Sequence, residues 1–480
     1  MTVPTSTNDG LLSFVSTRSL ERKQVSFAGL PLPTSITKHK SPISLGGGRP
    51  HSGFFPVNKI TLEVSSSPFN ADTTEKVISK KDSKTLDITK GFQYGPTEGH
   101  PELISFAKSL INRVNEPGYE DWDLTLTNGT GDSLHKIFNL IINPGDVILI
   151  ENYTYVPVIS NIINYGGIVV PVELNFEKGG IDVGKFEKLL ENWESGPYKH
   201  FKRPKGLYTI PTGQNPSGLT QSHEDRKKIY DLSSEYEFLI IEDDPYGYIQ
   251  LSEYFDGDFN KFSTNDYSVD KYIEEDLPNS YIQYDTEGRV LRLESFSKIF
   301  APGSRLGFIV GHAKFIKRII DHANVSTRAP SGISQLIVNS VIEQFDGVDG
   351  WLNWNIQISE EYTARKNLLI KTLKSSESFK KGQFDIIEPK SGMFLSININ
   401  FPNDDDDEEE DYRDQVEQLR YKALEQGVIV VLGKNFTTDE SFAKKARFIR
   451  TTIATQDSDE EILEAGRRLS SAIKLYFESV

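Results

Sequence analysis

Short apolar, β-branched runs recur along this chain, separated by stretches whose apolar residues fall at helical spacing. They are DVILIENYTY (146–155), GIVVPVEL (167–174), KGLYTIPTG (205–213), EFLIIEDDPYGY (237–248) and RVLRLESFSK (289–298). Strands that alternate with helices build βαβ units, so an α/β fold is predicted, with a mainly parallel central sheet flanked by helices. Each run closes on Gly, Pro, Asn, Asp, Tyr or Ser. In open parallel sheets ligands bind just beyond the carboxyl ends of the strands, so a site is to be sought at those polar endings.

At 480 residues the chain has room for more than one domain. WLNWNIQISEEYTARKNLLIKTL (351–373) reads as a long connecting helix, in which Trp351 and Trp354 are packing residues. A strand pair in FDIIEPKSGMFLSINI (384–399), a helix near 412–426, the runs GVIVVL (427–432) and ARFIRTTIA (446–454), and an amphipathic helix from Asp459 then make a smaller α+β module. Residues 1–40 lack periodicity and read as an arm; the Asp- and Tyr-rich insert 251–288 reads as a surface excursion. Net charge is −16, which opposes general nucleic-acid binding. Half of it sits in DDDDEEED (404–411), a solvated loop tip by charge repulsion. No apolar run approaches the ~20 residues that span a bilayer. With no cysteine, disulfides, thiolate catalysis and Cys-bound metals are excluded. The first 24 residues carry a weak presequence pattern that Asp9 and Glu21 oppose, and the cytosol is the expected compartment.

Chemistry concentrates at four strand ends. In SFSKIFAPGSRLG (295–307), Lys298 is set among Phe296, Ile299, Phe300 and Pro302, a surrounding that favours the neutral amine a Schiff base requires. Ser295, Ser297 and Arg305 are suited to a dianionic phosphate, Arg through its two-pronged donor geometry. Asp243 and Tyr246 in IIEDDPYGY pair a carboxylate for a pyridine nitrogen with a phenol for a ring hydroxyl. Asn215, before Pro216, offers an amide at the cleft, and an Asn-Pro bond is one that can be cis. Gly129, Thr130 and Gly131 open a helix whose free N–H groups, with the Thr130 hydroxyl, make an anion site.

Together and in this order these segments resemble the fold-type-I pyridoxal-phosphate aminotransferases of class I/II, the subgroup with fungal aromatic and kynurenine/2-aminoadipate aminotransferases. ISLGGGRP (43–50), FQYGPTEGHPEL (92–103), TRAPSG (327–332), SGMF (391–394) and FIRTTIA (448–454) extend the likeness over nearly the whole chain. The resemblance implies pyridoxal 5'-phosphate as cofactor and a homodimer. It also implies transamination of Phe, Tyr and Trp with 2-oxo acids such as 2-oxoglutarate or phenylpyruvate, with breadth toward kynurenine and 2-aminoadipate. By position, Lys298 matches the lysine that bonds the cofactor and moves the Cα proton. Asp243 matches the ring-nitrogen partner, and Tyr246 and Asn215 match the ring-oxygen ligands. Tyr155 matches the aromatic on the ring face. Thr130, Gly131, Ser295 and Arg305 match the phosphate cup, with Ser297 beside them. Gly131 stands where relatives often carry an amide, so only its N–H is available. Arg450 matches the clamp on the substrate α-carboxylate, and Tyr94 a tyrosine reaching the neighbouring subunit's phosphate. Gly48 and Arg49 fall in a turn that lies, by resemblance, against the substrate side chain; a solvent-facing arginine is the competing reading of Arg49. The implied division is an N-terminal arm (1–58), a large cofactor domain (59–350) and a small C-terminal domain (351–480). A lyase or decarboxylase on the same fold is the alternative. An aminotransferase-like transcription regulator needs a basic DNA-binding domain ahead of the fold, and only about 40 residues precede ISLGGG.

Overall fold

A computed structural model describes residues 10–23, 35–37, 39–43, 45–81, 85–255, 260–264, 267–402 and 411–479. The acidic run, save Asp411, and parts of the expected arm and insert therefore lie outside the described residues.

The five apolar runs form strands Val147–Glu151, Ile168–Val172, Pro204–Thr209, Leu239–Asp243 and Val290–Ser295. Two further strands, Trp122–Thr127 and Gly307–His312, complete a seven-stranded sheet. From one edge its order is 122–127, 307–312, 290–295, 239–243, 204–209, 147–151 and 168–172. All run parallel except Gly307–His312, which pairs antiparallel with both neighbours. The physical reason is connection length. Residues 296–306 are too few to carry a helix back across the sheet, so the chain turns and returns antiparallel.

A second, wholly antiparallel sheet has the order Phe384–Ile387, Phe394–Ile399, Phe448–Thr452, Val431–Leu432. The helix Val348–Ser375 spans the two layers: Trp351 packs edge-on to Phe106 and Phe296, while its far half lies against the C-terminal helix Asp459–Ser479. Trp351 is fully buried, and the Trp354 indole donates to the Ile299 carbonyl at 2.9 Å, so both pack and one props the lysine turn.

The insert departs from the surface excursion expected of it. Tyr272, Tyr281 and Ile282 are fully buried, and the Tyr272 hydroxyl donates to the Tyr248 carbonyl. Tyrosine counts as polar in composition but hides a large ring once its hydroxyl finds an acceptor. Within the expected arm, residues 10–23 lie on the large-sheet side: Leu11, Phe14 and Val15 are buried, and the Ser16 amide and hydroxyl bond the Leu140 and Asn139 carbonyls. Among the described residues no helix is long and apolar enough to cross a membrane.

Candidate active site

Sheet register brings the polar strand endings together. Ser295 pairs with Gly307 and Gly307 with Thr127, while Asp243 pairs with Leu293 on the other side. Lys298 follows Ser295 by three residues and is half-buried. Burial, then the positive charges of Arg305 and Arg450, hold its ammonium below the ordinary lysine value. It makes no ion pair among the described residues, so nothing pins the amine in its charged form. A cleft of about 200 Å³ runs along it, walled by Phe69, Phe300, Trp354 and Tyr362.

Beside the lysine, the helix Thr130–Ile141 begins at Gly129, whose φ of 84° places it in the left-handed region. Only glycine fits: a Cβ there would stand 3.0 Å from the Arg305 guanidinium. Arg305 (φ 46°) donates one terminal nitrogen to the Asn128 carbonyl at 3.2 Å and the other, weakly, to the Pro302 carbonyl at 3.4 Å, and each keeps a further N–H. Above Gly131 the space is open, with nothing within 4 Å of a would-be Cβ. Ser295 is buried, its hydroxyl taking the Ser297 amide at 3.1 Å. A helix start with unspent amides, two serines and an arginine fork make a cup for a dianion.

One strand away, Asp243 is 3% exposed. Its Oδ2 accepts from the Tyr208 hydroxyl at 2.7 Å, whereas Oδ1 is buried without a hydrogen-bond partner. Burial pushes the carboxyl up to about 7; the Tyr208 bond opposes this and the Asp244 charge adds to it. Tyr246 is also buried, packed edge-on to Phe394 at 5.8 Å, and burial followed by the Asp243 charge raises its phenol. Tyr155 is 41% exposed at the mouth and is an electrostatic neighbour of Tyr246.

Asn215 precedes a cis proline peptide. Its loop is gripped from both layers. Gln214 donates to the Glu151 carboxylate (2.8 Å) and the Tyr153 carbonyl (2.7 Å), and the Ser396 hydroxyl donates to the Pro216 carbonyl (3.1 Å). Asn215 Oδ1 accepts from Arg450 at 2.8 Å. Arg450 itself, on the small sheet, lies over Phe394 at 4.4 Å and over Phe436 at 4.9 Å. Two aromatic faces fix the guanidinium plane and leave its remaining donors toward the cleft, a geometry that takes a carboxylate bidentately.

Two groups of expected site residues lie apart from this cluster. Tyr94 is 74% exposed; with Arg49 it lines a separate cleft of about 740 Å³ formed against Thr327–Gly332. Gly48 and its neighbours are exposed, with nothing within 4 Å of a Cβ at Gly48. Conversely, Tyr208, Gln214, Phe394 and Phe436 belong to the site but are not singled out by motif. Tyr208 and Gln214 sit inside YTIPTGQNPSG, and only the register of neighbouring strands shows that Tyr208 meets Asp243.

A half-buried lysine with lowered basicity, an open dianion cup, and a buried carboxylate oxygen without a partner are what a phosphorylated pyridine aldehyde requires. The comparisons agree. Residues 57–469 match the model of aminotransferase class I and II. The chain is 38% identical to aromatic amino acid aminotransferase 2 of Saccharomyces cerevisiae, over 91% of each. It is 30% identical to the mitochondrial kynurenine/alpha-aminoadipate aminotransferase of Bos taurus, over 91% of this chain and 92% of the other. The crystal structure of the aromatic aminotransferase Aro9 from C. albicans superposes with a TM-score of 0.91 at 42% identity, covering 97% of this chain and 98% of that one. The chain belongs to the aminotransferase class I and II family and is an aminotransferase; the family generally works with pyridoxal phosphate.

Proposed function

We propose that this enzyme is a cytosolic homodimer that uses pyridoxal 5'-phosphate to transaminate phenylalanine, tyrosine and tryptophan with 2-oxo acids such as 2-oxoglutarate or phenylpyruvate. Kynurenine and 2-aminoadipate fall within its range. The observation that carries the cofactor reading is Asp243: its buried, unpartnered oxygen wants an N–H donor, and a pyridinium nitrogen is one. The names of the similar proteins and the aromatic walls beside Lys298 support the substrate class.

Bound there, the cofactor supplies an aldehyde carbon for the amino group and a ring that takes up electron density from the substrate Cα. This chain's residues do the rest. Thr130, Gly131, Ser295, Ser297 and Arg305 hold the phosphate. Asp243 Oδ1 would accept from the ring nitrogen, Tyr246 and Asn215 would serve the ring oxygen, and Tyr155 would lie against the ring. Arg450 takes the α-carboxylate while Asn215 holds the guanidinium, which fixes where Cα lies. Lys298 Nζ, neutral at lower pH than a free lysine, is placed to take the proton from Cα and deliver it to the former aldehyde carbon, on the far side of the amino nitrogen. On this reading residues 59–350 bind the cofactor and 351–480 bring Arg450. Tyr94 and Arg49, which line a cleft apart from that of Lys298, act in the partner's site. The experiment is spectral: purified enzyme mixed with phenylalanine converts to its aminated form, and phenylpyruvate reverses it. A lyase or decarboxylase releases product without that reversible interconversion, and that result would refute the proposal.

A further inference from the structure

Asp243 belongs to a set of four buried acids and differs from the other three in where its bonds go. Glu242, Asp244 and Glu294 all reach the buried Arg292 guanidinium, at 2.9, 2.8 and 2.6 Å. Asp243 has no ion pair among the described residues. Its one hydrogen bond is the 2.7 Å contact from Tyr208 to Oδ2. Tyr208 is fully buried, next to last in the adjacent strand Pro204–Thr209, which holds its ring in place. Burial and the nearby Asp243 and Glu151 charges raise its phenol, so it stays a neutral donor. The charged and titratable groups facing Asp243 are thus Tyr208 from the adjacent strand, Glu151 from the strand after that, Asp244 next to it in the chain, and Tyr246 just beyond.

We propose that Tyr208 is a positioning residue for the reaction: by pinning Oδ2 it turns Oδ1 of Asp243 toward the ring nitrogen and keeps the negative charge on the carboxylate. This rests on the pyridoxal-phosphate reading. The carboxylate and the ring nitrogen share one proton, and the position of that proton depends on which partner is more basic. A hydrogen bond donated to the carboxylate makes it less basic and leaves the proton on nitrogen, where the ring draws electrons best. Without the Tyr208 hydroxyl the proton moves toward oxygen, by a factor on the order of tenfold to a hundredfold in that equilibrium.

The test uses apoenzyme reconstituted with pyridoxal phosphate carrying nitrogen-15 in the ring. In wild type the resonance is that of a protonated nitrogen at neutral pH. In Tyr208→Phe it moves toward neutral pyridine, cofactor affinity by equilibrium dialysis falls roughly tenfold, and kcat drops with KM nearly unchanged. An unmoved nitrogen resonance in Tyr208→Phe overturns the proposal, whatever the activity. Should that variant not fold, 3-fluorotyrosine introduced at position 208 keeps the shape and the donor. Its fluorine resonance moves as pyridoxal phosphate saturates the apoenzyme, and a resonance that stays fixed overturns the proposal. Wild type that fails to bind the cofactor refutes the proposed function itself, which separates the two failures.

Discussion

Arg450→Lys tests the substrate clamp most directly, because it keeps the charge and removes only the shape. Arg450 is held by Asn215 at 2.8 Å and by the rings of Phe394 and Phe436 at 4.4 and 4.9 Å. A lysine ammonium at this site cannot bond Asn215 and both carboxylate oxygens in one plane. It gives up one charge-assisted hydrogen bond, worth about 1.5–3 kcal/mol, and most of two ring contacts of about 0.5–1 kcal/mol each. The sum, about 2.5–4.5 kcal/mol, corresponds to a fall in kcat/KM of roughly 70- to 2,000-fold. Because every amino acid offers the same α-carboxylate, the fall should be the same for phenylalanine, tyrosine, glutamate and alanine, and should appear mainly in KM. The assay is steady-state kinetics over that panel at fixed 2-oxo acid. Losses that differ more than about tenfold between donors would mean that Arg450 reads side chains, and the reasoning would fail.

Lys298→Ala should abolish turnover while the phosphate cup still retains cofactor; dialysis followed by absorbance checks both, and near-native activity refutes the role. Tyr94→Phe should weaken cofactor retention by about 1.5–3 kcal/mol. Mixing it with Lys298→Ala should regenerate one complete site per hybrid dimer, which activity of the refolded mixture would reveal if Tyr94 acts across subunits. For Arg49→Leu, kcat/KM for glutamate or 2-oxoglutarate should fall more than for phenylalanine, by about 1–3 kcal/mol; equal small losses return Arg49 to solvent. Stability of the apoenzyme should also fall with rising pH on account of Glu151. Burial raises it from 4.5 to about 7, so the folded state binds the extra proton, and this contribution is full below the unfolded value and lost as pH rises through about 7. Glu151→Gln should remove up to about 3 kcal/mol of the fall in unfolding free energy between about pH 5 and 8, measured by denaturant unfolding across that range, and an unchanged pH slope would contradict the assignment.

Legibility in the sequence followed the type of burial. Five strands read clearly because VILIE, IVVPV and LIIED are apolar without interruption, as strands covered on both faces must be. GFIVGH escapes the same reading because it follows the lysine motif without an intervening helix and is bracketed by glycines. The hairpin Lys59–Ser65 with Thr73–Ser79 escapes it because its residues are mostly exposed and alternate with charges. The site shows the same division. Lys298, Asp243 and Asn215 announce themselves through motifs at strand ends and Arg450 through its own motif within a strand, whereas Tyr208 is one more aromatic in a buried strand until register sets it against Asp243. Tyr94 and Arg49 show a third case: their segments are legible, but in one chain they line a cleft apart from Lys298, and on the proposed reading only a second copy would bring them to a site.

The distribution of charge behind the sheet explains why Asp243, among its acidic neighbours, is the one left for a ligand. Four carboxylates in two adjacent strands would be costly in a dry interior unless cations met them. Arg292 meets three, and Arg226 lies 4.0 Å from Glu242 as well. Adding a guanidinium at Asp243 would make the protein more stable and the site inert, because the carboxylate would already be paired and its proton affinity too low to hold a ring nitrogen. A phenol is the intermediate choice: it orients the group and stabilises its charge partly, yet leaves Oδ1 with no bond until the ring arrives. The folded chain therefore carries an unsatisfied buried acceptor, which a pyridinium N–H bound as proposed would relieve. That relief couples occupancy to stability, so saturating pyridoxal phosphate should raise the melting temperature of wild type more than that of Asp243→Asn, and equal shifts would show that the phosphate cup alone accounts for binding.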